Sequence, residues 1–146
     1  MEKLFNTDFE ISLRVLLLLY VFDDFLSQDT IRDLDLLSTY GKEFKISNNN
    51  LHGDNSYSVT EIASRYSIVK NALKILVKDS YVTIKSSSAG FSYKISDLGK
   101  LYAESLTSDY SDQYKSEANK VKQFTRDMND SEIHRFTYKG IIRRDE

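Results

Sequence analysis

The sequence predicts a mainly α-helical chain with one small β-hairpin: a winged-helix-like domain with an N-terminal helical hairpin and a C-terminal amphipathic helix. Three observations carry this. Apolar residues recur at spacings of three and four over several segments, the period of a helix face. Two alternating β-rich runs, Tyr81-Val82-Thr83-Ile84-Lys85 and Phe91-Ser92-Tyr93-Lys94-Ile95, flank Ser86-Ser87-Ser88-Ala89-Gly90, a turn with glycine at its end. The order helix, helix, hairpin and following helix is that of a winged-helix module.

A chain of 146 residues makes one domain with an appendage. The division read here is a winged-helix-like body over 1–108 and a helical extension over 109–146. An apolar fraction of 40% supplies one core, and a charged fraction of 29% supplies an ordinary soluble surface. Cysteine is absent, which excludes disulfides and Cys-based zinc sites. His52 and His134 stand alone, so no metal cluster forms from histidine, and no cofactor is implied. The formal net charge of −2 favours neither attraction to nucleic acid nor repulsion from it. Charge is uneven, however: ten acids face five bases over 1–57, and three acids face seven bases over 58–100. The middle third is the only basic segment, so nucleic-acid contact is expected there.

The first helix is expected over 7–26. Thr7 with Glu10 is a capping box, and Asp8 suits the positive end of the helix dipole. Positions 15–22 are apolar on nearly every side, and such a helix must be covered all round. The run is too short to span a bilayer, which takes roughly 20 apolar residues. Its flanks, Arg14 and Asp23-Asp24, are charged, and no cleavage site follows, so the expected location is the cytoplasm, off the membrane. The helix is either the central strut of the fold or a surface awaiting a partner.

Ser27 or Asp29 can cap a second helix over 30–40, with Ile31, Leu34 and Leu37 inward and Gly41 as a left-handed stop. The polar stretch 42–57 reads as a loop. Ser58 with Glu61 is a second capping box, opening a helical region to about 79. This region is one helix or two broken near 65–67. After the hairpin, Ser96 caps a helix over 97–106. Tyr110, Tyr114, Ala118, Val121, Phe124 and Met128 mark an amphipathic helix over 109–128, and Ser131 caps a short final segment.

Four constellations are candidates for chemistry. Lys70, Lys74 and Lys78 fall on one helix face, and with Lys85 and Lys94 on the wing they suit contact with the phosphates of double-stranded DNA. The array for base readout is missing, with only Asn71 nearby. Asp23, Asp24, Asp29, Asp33 and Asp35 match no calcium loop and read as caps and surface charge. His52, two residues before Asp54, has no nucleophile or oxyanion donor to work with and reads as a loop histidine. Surplus apolar surface is the fourth: Phe9, Leu13, Val15, Leu16 and Tyr20 on the first helix, and Tyr110, Tyr114, Val121 and Phe124 on the tail helix.

One stretch is familiar. Phe5 to Leu16, centred on Glu10-Ile11-Ser12-Leu13-Arg14, resembles the opening of the small middle components of ABC-three-component systems. That group includes the small subunit of Lamassu-type anti-phage defence operons. Leu34-Asp35-Leu36-Leu37, Leu51-His52 and the region 68–82 look like the counterparts of the family's later segments. The resemblance covers 4–114. Ser12 stands where glycine is usual, Gly53 where proline is usual, and much of the family's arginine is missing. The resemblance implies a non-catalytic adaptor between an SMC-like ABC ATPase that senses DNA and an effector, often a nuclease. The rival reading is a free-standing dimeric winged-helix transcription regulator.

Overall fold

The structure, a computed structural model, describes residues 8–49, 51 and 59–144. It contains α1 (Asp8–Phe22), β1 (Leu26–Ser27), α2 (Gln28–Thr39), α3 (Val59–Lys78), β2 (Val82–Ser87), β3 (Gly90–Ile95), α4 (Asp97–Ser105), α5 (Asp109–Phe124) and α6 (Asp130–Arg144). The protein is mainly helical with a small three-stranded antiparallel sheet, in the winged-helix-like order helix, strand, helix, helix, strand, strand.

The most apolar helix is the central strut. Ile11 and all residues from Val15 to Leu19 are buried. α1 lies mainly against α3 and α5, and α2 lies against α5, α6 and α3. The α1–α2 hairpin expected from sequence is therefore loose, each helix finding its main neighbours elsewhere. Tyr114, Ala118 and Val121 of α5 and Ile133 of α6 belong to the same hydrophobic cluster as α1. No helix among the described residues is long and apolar enough to cross a membrane.

Helix ends follow local chemistry, with some departures from expectation. α1 stops at Phe22 and not at 26, because Asp23 turns left-handed (φ 47°) and donates its N–H to the Leu19 carbonyl at 2.8 Å. The next apolar residue, Leu26, goes to the sheet instead, with Leu26 opposite Tyr93 and Ser27 opposite Ser92. Thr7 of the first capping box and Ser58 of the second lie outside the described residues.

Ser27 Oγ accepts from the Thr30 N–H at 3.2 Å and caps α2. Gly41 is not the left-handed stop: its φ is not positive, and Tyr40 is the C-cap. What Gly41 supplies is room, since a Cβ there would meet the Ser47 Cβ at 2.9 Å. Its carbonyl accepts from the N–H groups of both Ile46 and Ser47.

α3 is a single unbroken helix through 65–67. It ends in a Schellman pair: Tyr81 N–H to Leu76 O at 2.9 Å and Ser80 N–H to Val77 O at 3.0 Å, with Ser80 left-handed (φ 68°). β2 and β3 pair without a bulge from Val82–Ile95 to Ser87–Gly90. Ser96 and Ser108 cap α4 and α5 through their side-chain oxygens. α5 stops at Phe124, short of 128, and α6 is a full helix of 15 residues, not a short segment. Its start is set by Asn129, not Ser131: Asn129 N–H donates to Glu132 Oε1 and Glu132 N–H to Asn129 Oδ1, both at 2.8 Å. Asn129, an asparagine in the breaker Asn129-Asp130-Ser131, was the available signal.

Candidate functional site

At the centre of the helical body lies a polar cluster that periodicity did not reveal. Arg14 of α1 donates from Nε to Asp35 Oδ1 at 2.9 Å and from an Nη to Oδ2 at 3.0 Å. Tyr114 of α5 donates its hydroxyl to the same Oδ1 at 2.9 Å. Arg14 is 3% exposed, and Asp35 and Tyr114 are both 0% exposed, so all three are sealed from water. Burial works against the Arg14 charge, but the Asp35 carboxylate, aided by the Tyr114 and Tyr110 hydroxyls, outweighs it and raises the guanidinium above its ordinary value. Burial first, then the Asp35 charge, lifts the Tyr114 hydroxyl well above its ordinary value. No water or substrate reaches these groups. Their geometry joins α1, α2 and α5.

A second cluster is half open. Asp33 of α2 accepts from Arg32 at 3.1 Å and lies 3.0 Å from His134 Nδ1 of α6. Burial pushes the Asp33 carboxyl up, while Arg32 and His134 pull it back. The neighbouring cleft, about 470 Å³, is open to solvent and lined by Ser27, Asp29, Thr30, Asp130, Arg135 and Tyr138 among others. His134, isolated in the sequence, therefore has a carboxylate partner. The other acids disperse: Asp23 meets Lys100 at 3.3 Å, and Asp24 accepts from the Phe25 N–H at 2.8 Å. Among the described residues no three His, Cys, Asp or Glu side chains gather as metal ligands. His52 and Asp54 lie outside the described residues.

The expected partner surface divides. Val15, Leu16, Tyr114 and Val121 are in the core, at most 1% exposed, so the chain's own helices take the contacts expected for a partner. Of the two readings of the first helix, strut or partner surface, the burial of these four positions within the single chain fits the strut, and its cause is the packing of α5 on α1. Phe9 is 59% exposed and Phe124 45%. Leu13, Tyr20 and Tyr110 are half-buried. Tyr20 is engaged within the chain, donating to Glu104 at 3.1 Å with the Lys115 ammonium 5.8 Å from its ring centre. Phe124 packs against Phe136 of α6 at 5.1 Å between ring centres.

The lysines also divide. Lys70, Lys74 and Lys78 stand exposed along α3, opposite the buried Val69, Ala72, Leu73 and Leu76. Strand alternation puts Lys85 and Lys94 on the sheet face turned away from buried Val82, Tyr93 and Ile95. Both ammonium groups lie over the Phe25 ring, at 4.4 and 5.8 Å from its centre. The five are thus two groups on different elements, and the wing pair already has an aromatic partner.

Comparison with known proteins gives one family. The model described as ABC-three component (ABC-3C) system Middle Component 2 matches residues 4–144. No curated protein and no solved structure gives a significant match.

Proposed function

The chain belongs to the Middle Component 2 family of ABC-three-component systems, and we propose that within such a system it is a non-catalytic adaptor. In this reading it holds an SMC-like ABC ATPase and an effector nuclease in one cytoplasmic complex, as in Lamassu-type anti-phage defence. The observation that carries it is the family match over nearly the whole chain. Support also comes from the site chemistry: the buried Arg14, Asp35 and Tyr114 satisfy one another, which is what a scaffold does with polar groups. The partner contacts in this reading use the residues left at the surface, Phe9, Leu13, Tyr20, Tyr110 and Phe124. Lys70, Lys74 and Lys78, with Lys85 and Lys94 as secondary contacts, give weak attraction to DNA phosphates.

The test is co-expression with the other components of its system. A stable complex recovered through a tag on this chain is the expected result, and a chain recovered alone removes the proposal. The exposed α3 lysines favour a second reading, the dimeric winged-helix regulator. That reading requires tight, sequence-specific operator binding by this chain alone. Phosphate contact without base readout gives weak binding that falls steeply with salt.

A further inference from the structure

Strand β2 is a sheet edge. Among the described residues, the order β1-β3-β2 gives its outer side no neighbouring strand. Among the described residues, no backbone hydrogen bond from any segment other than β3 reaches 83–87. Alternate N–H and C=O groups of such a strand point away from its one neighbour and form a template for an incoming strand. The usual protections are thin. The pairing runs six residues without a bulge, and the chain has no proline. The one charge on the strand, Lys85, is drawn over the Phe25 ring.

The two faces of this edge differ in chemistry. Register puts Ile84 and Phe91 on the same face as Val82, Tyr93 and Ile95. The last three are covered by the helical body, but Ile84 is 42% exposed and Phe91 59%. The apolar face of the hairpin therefore continues past the core that it helps to build. A wing that only followed phosphates would have no use for two large apolar side chains there. The opposite face carries Lys85 and Lys94.

We infer that the β2 edge receives an extended segment of a partner protein, with alternate residues apolar on the Ile84 and Phe91 side and acidic on the Lys85 and Lys94 side. The backbone ladder supplies affinity, and the alternation of faces supplies specificity. This rests on the adaptor reading and assigns one of its subunit contacts to the wing.

The experiment uses the full chain co-expressed with the other components of its system, reading co-purification and amide hydrogen exchange. Exchange at 83–87 slows about tenfold or more in the complex. Ile84→Asp combined with Phe91→Ser lowers recovery of the complex about tenfold, and Lys85→Glu lowers it by a smaller factor. Because these side chains are exposed, both variants keep the melting temperature of the parent chain. Should the double variant lose that melt, Lys85→Glu carries the test alone. A complex that assembles with unchanged exchange at 83–87, or that tolerates the variants, overturns the wing assignment and leaves the adaptor reading standing. A chain that forms no complex overturns both. Slowed exchange in the isolated chain with the mass of a dimer assigns the edge to a second copy. Slowing by a duplex DNA oligonucleotide assigns it to nucleic acid. Either of these also overturns the inference.

Discussion

Arg14 and Asp35 sit in apolar surroundings in the sequence as well as in space, between Leu13 and Val15 and between Leu34 and Leu36. A single charge inside such a run is the available signal for a buried pair, because an isolated buried charge is too costly to keep. Hydrophobic periodicity masks it, since it scores each charge as a defect in its own helix and cannot join two helices. Asp35→Ala leaves the guanidinium buried without its carboxylate and is expected to cost about 3–5 kcal/mol, measured by urea unfolding. Replacing the set with Arg14→Met, Asp35→Leu and Tyr114→Phe together is expected to restore most of that loss, because the guanidinium, the carboxylate and the hydroxyl are removed together. Tyr114 also makes stability depend on alkaline pH. Its folded value is raised above the ordinary 10.0, so its contribution is complete below pH 10.0 and declines as pH rises through the folded value. Tyr114→Phe is expected to flatten the stability profile above that pH, whatever it does to stability at pH 7.

At the scale of elements, caps and hairpin strands were legible because their signals are local. Ser27, Ser96 and the alternating runs each act within a few residues. The two-residue β1 carries no pattern of its own and exists only because β3 offers an edge. Gly41 illustrates a different loss: sequence shows that a glycine follows a helix, but not whether it serves dihedral freedom or space. Ser80 holds the left-handed position that ends α3, which a residue with a Cβ occupies at a cost. Ser80→Gly is expected to raise stability by about 1 kcal/mol, read as a higher urea midpoint with an unchanged slope. Gly140 of α6 lies against the buried Phe44 ring, where a Cβ would overlap it. Gly140→Ala is expected to cost about 1–3 kcal/mol by overpacking, seen in the same titration.

For the whole molecule, the mainly helical architecture with its hairpin followed from periodicity, while the assignment of faces did not. Whether an all-round apolar helix is strut or interface depends on which distant segment covers it, and one sequence carries no distances. Replacing Lys70 and Lys74 by Glu is expected to abolish the weak, salt-sensitive retention on duplex DNA while complex formation survives, measured by a salt series and by co-purification. Survival of the DNA retention would remove the phosphate-contact proposal. The covering of α1 has one more consequence, which concerns the order of synthesis. α1 leaves the ribosome ahead of both of its main covers, α3 and α5, and α5 follows about a hundred residues later. Until then one side of the leucine-rich segment stays uncovered even with α3 in place, the kind of surface on which chaperones act and aggregates begin. The chain should therefore tolerate premature termination before 109 poorly, and its soluble yield should track chaperone supply more closely than its final stability.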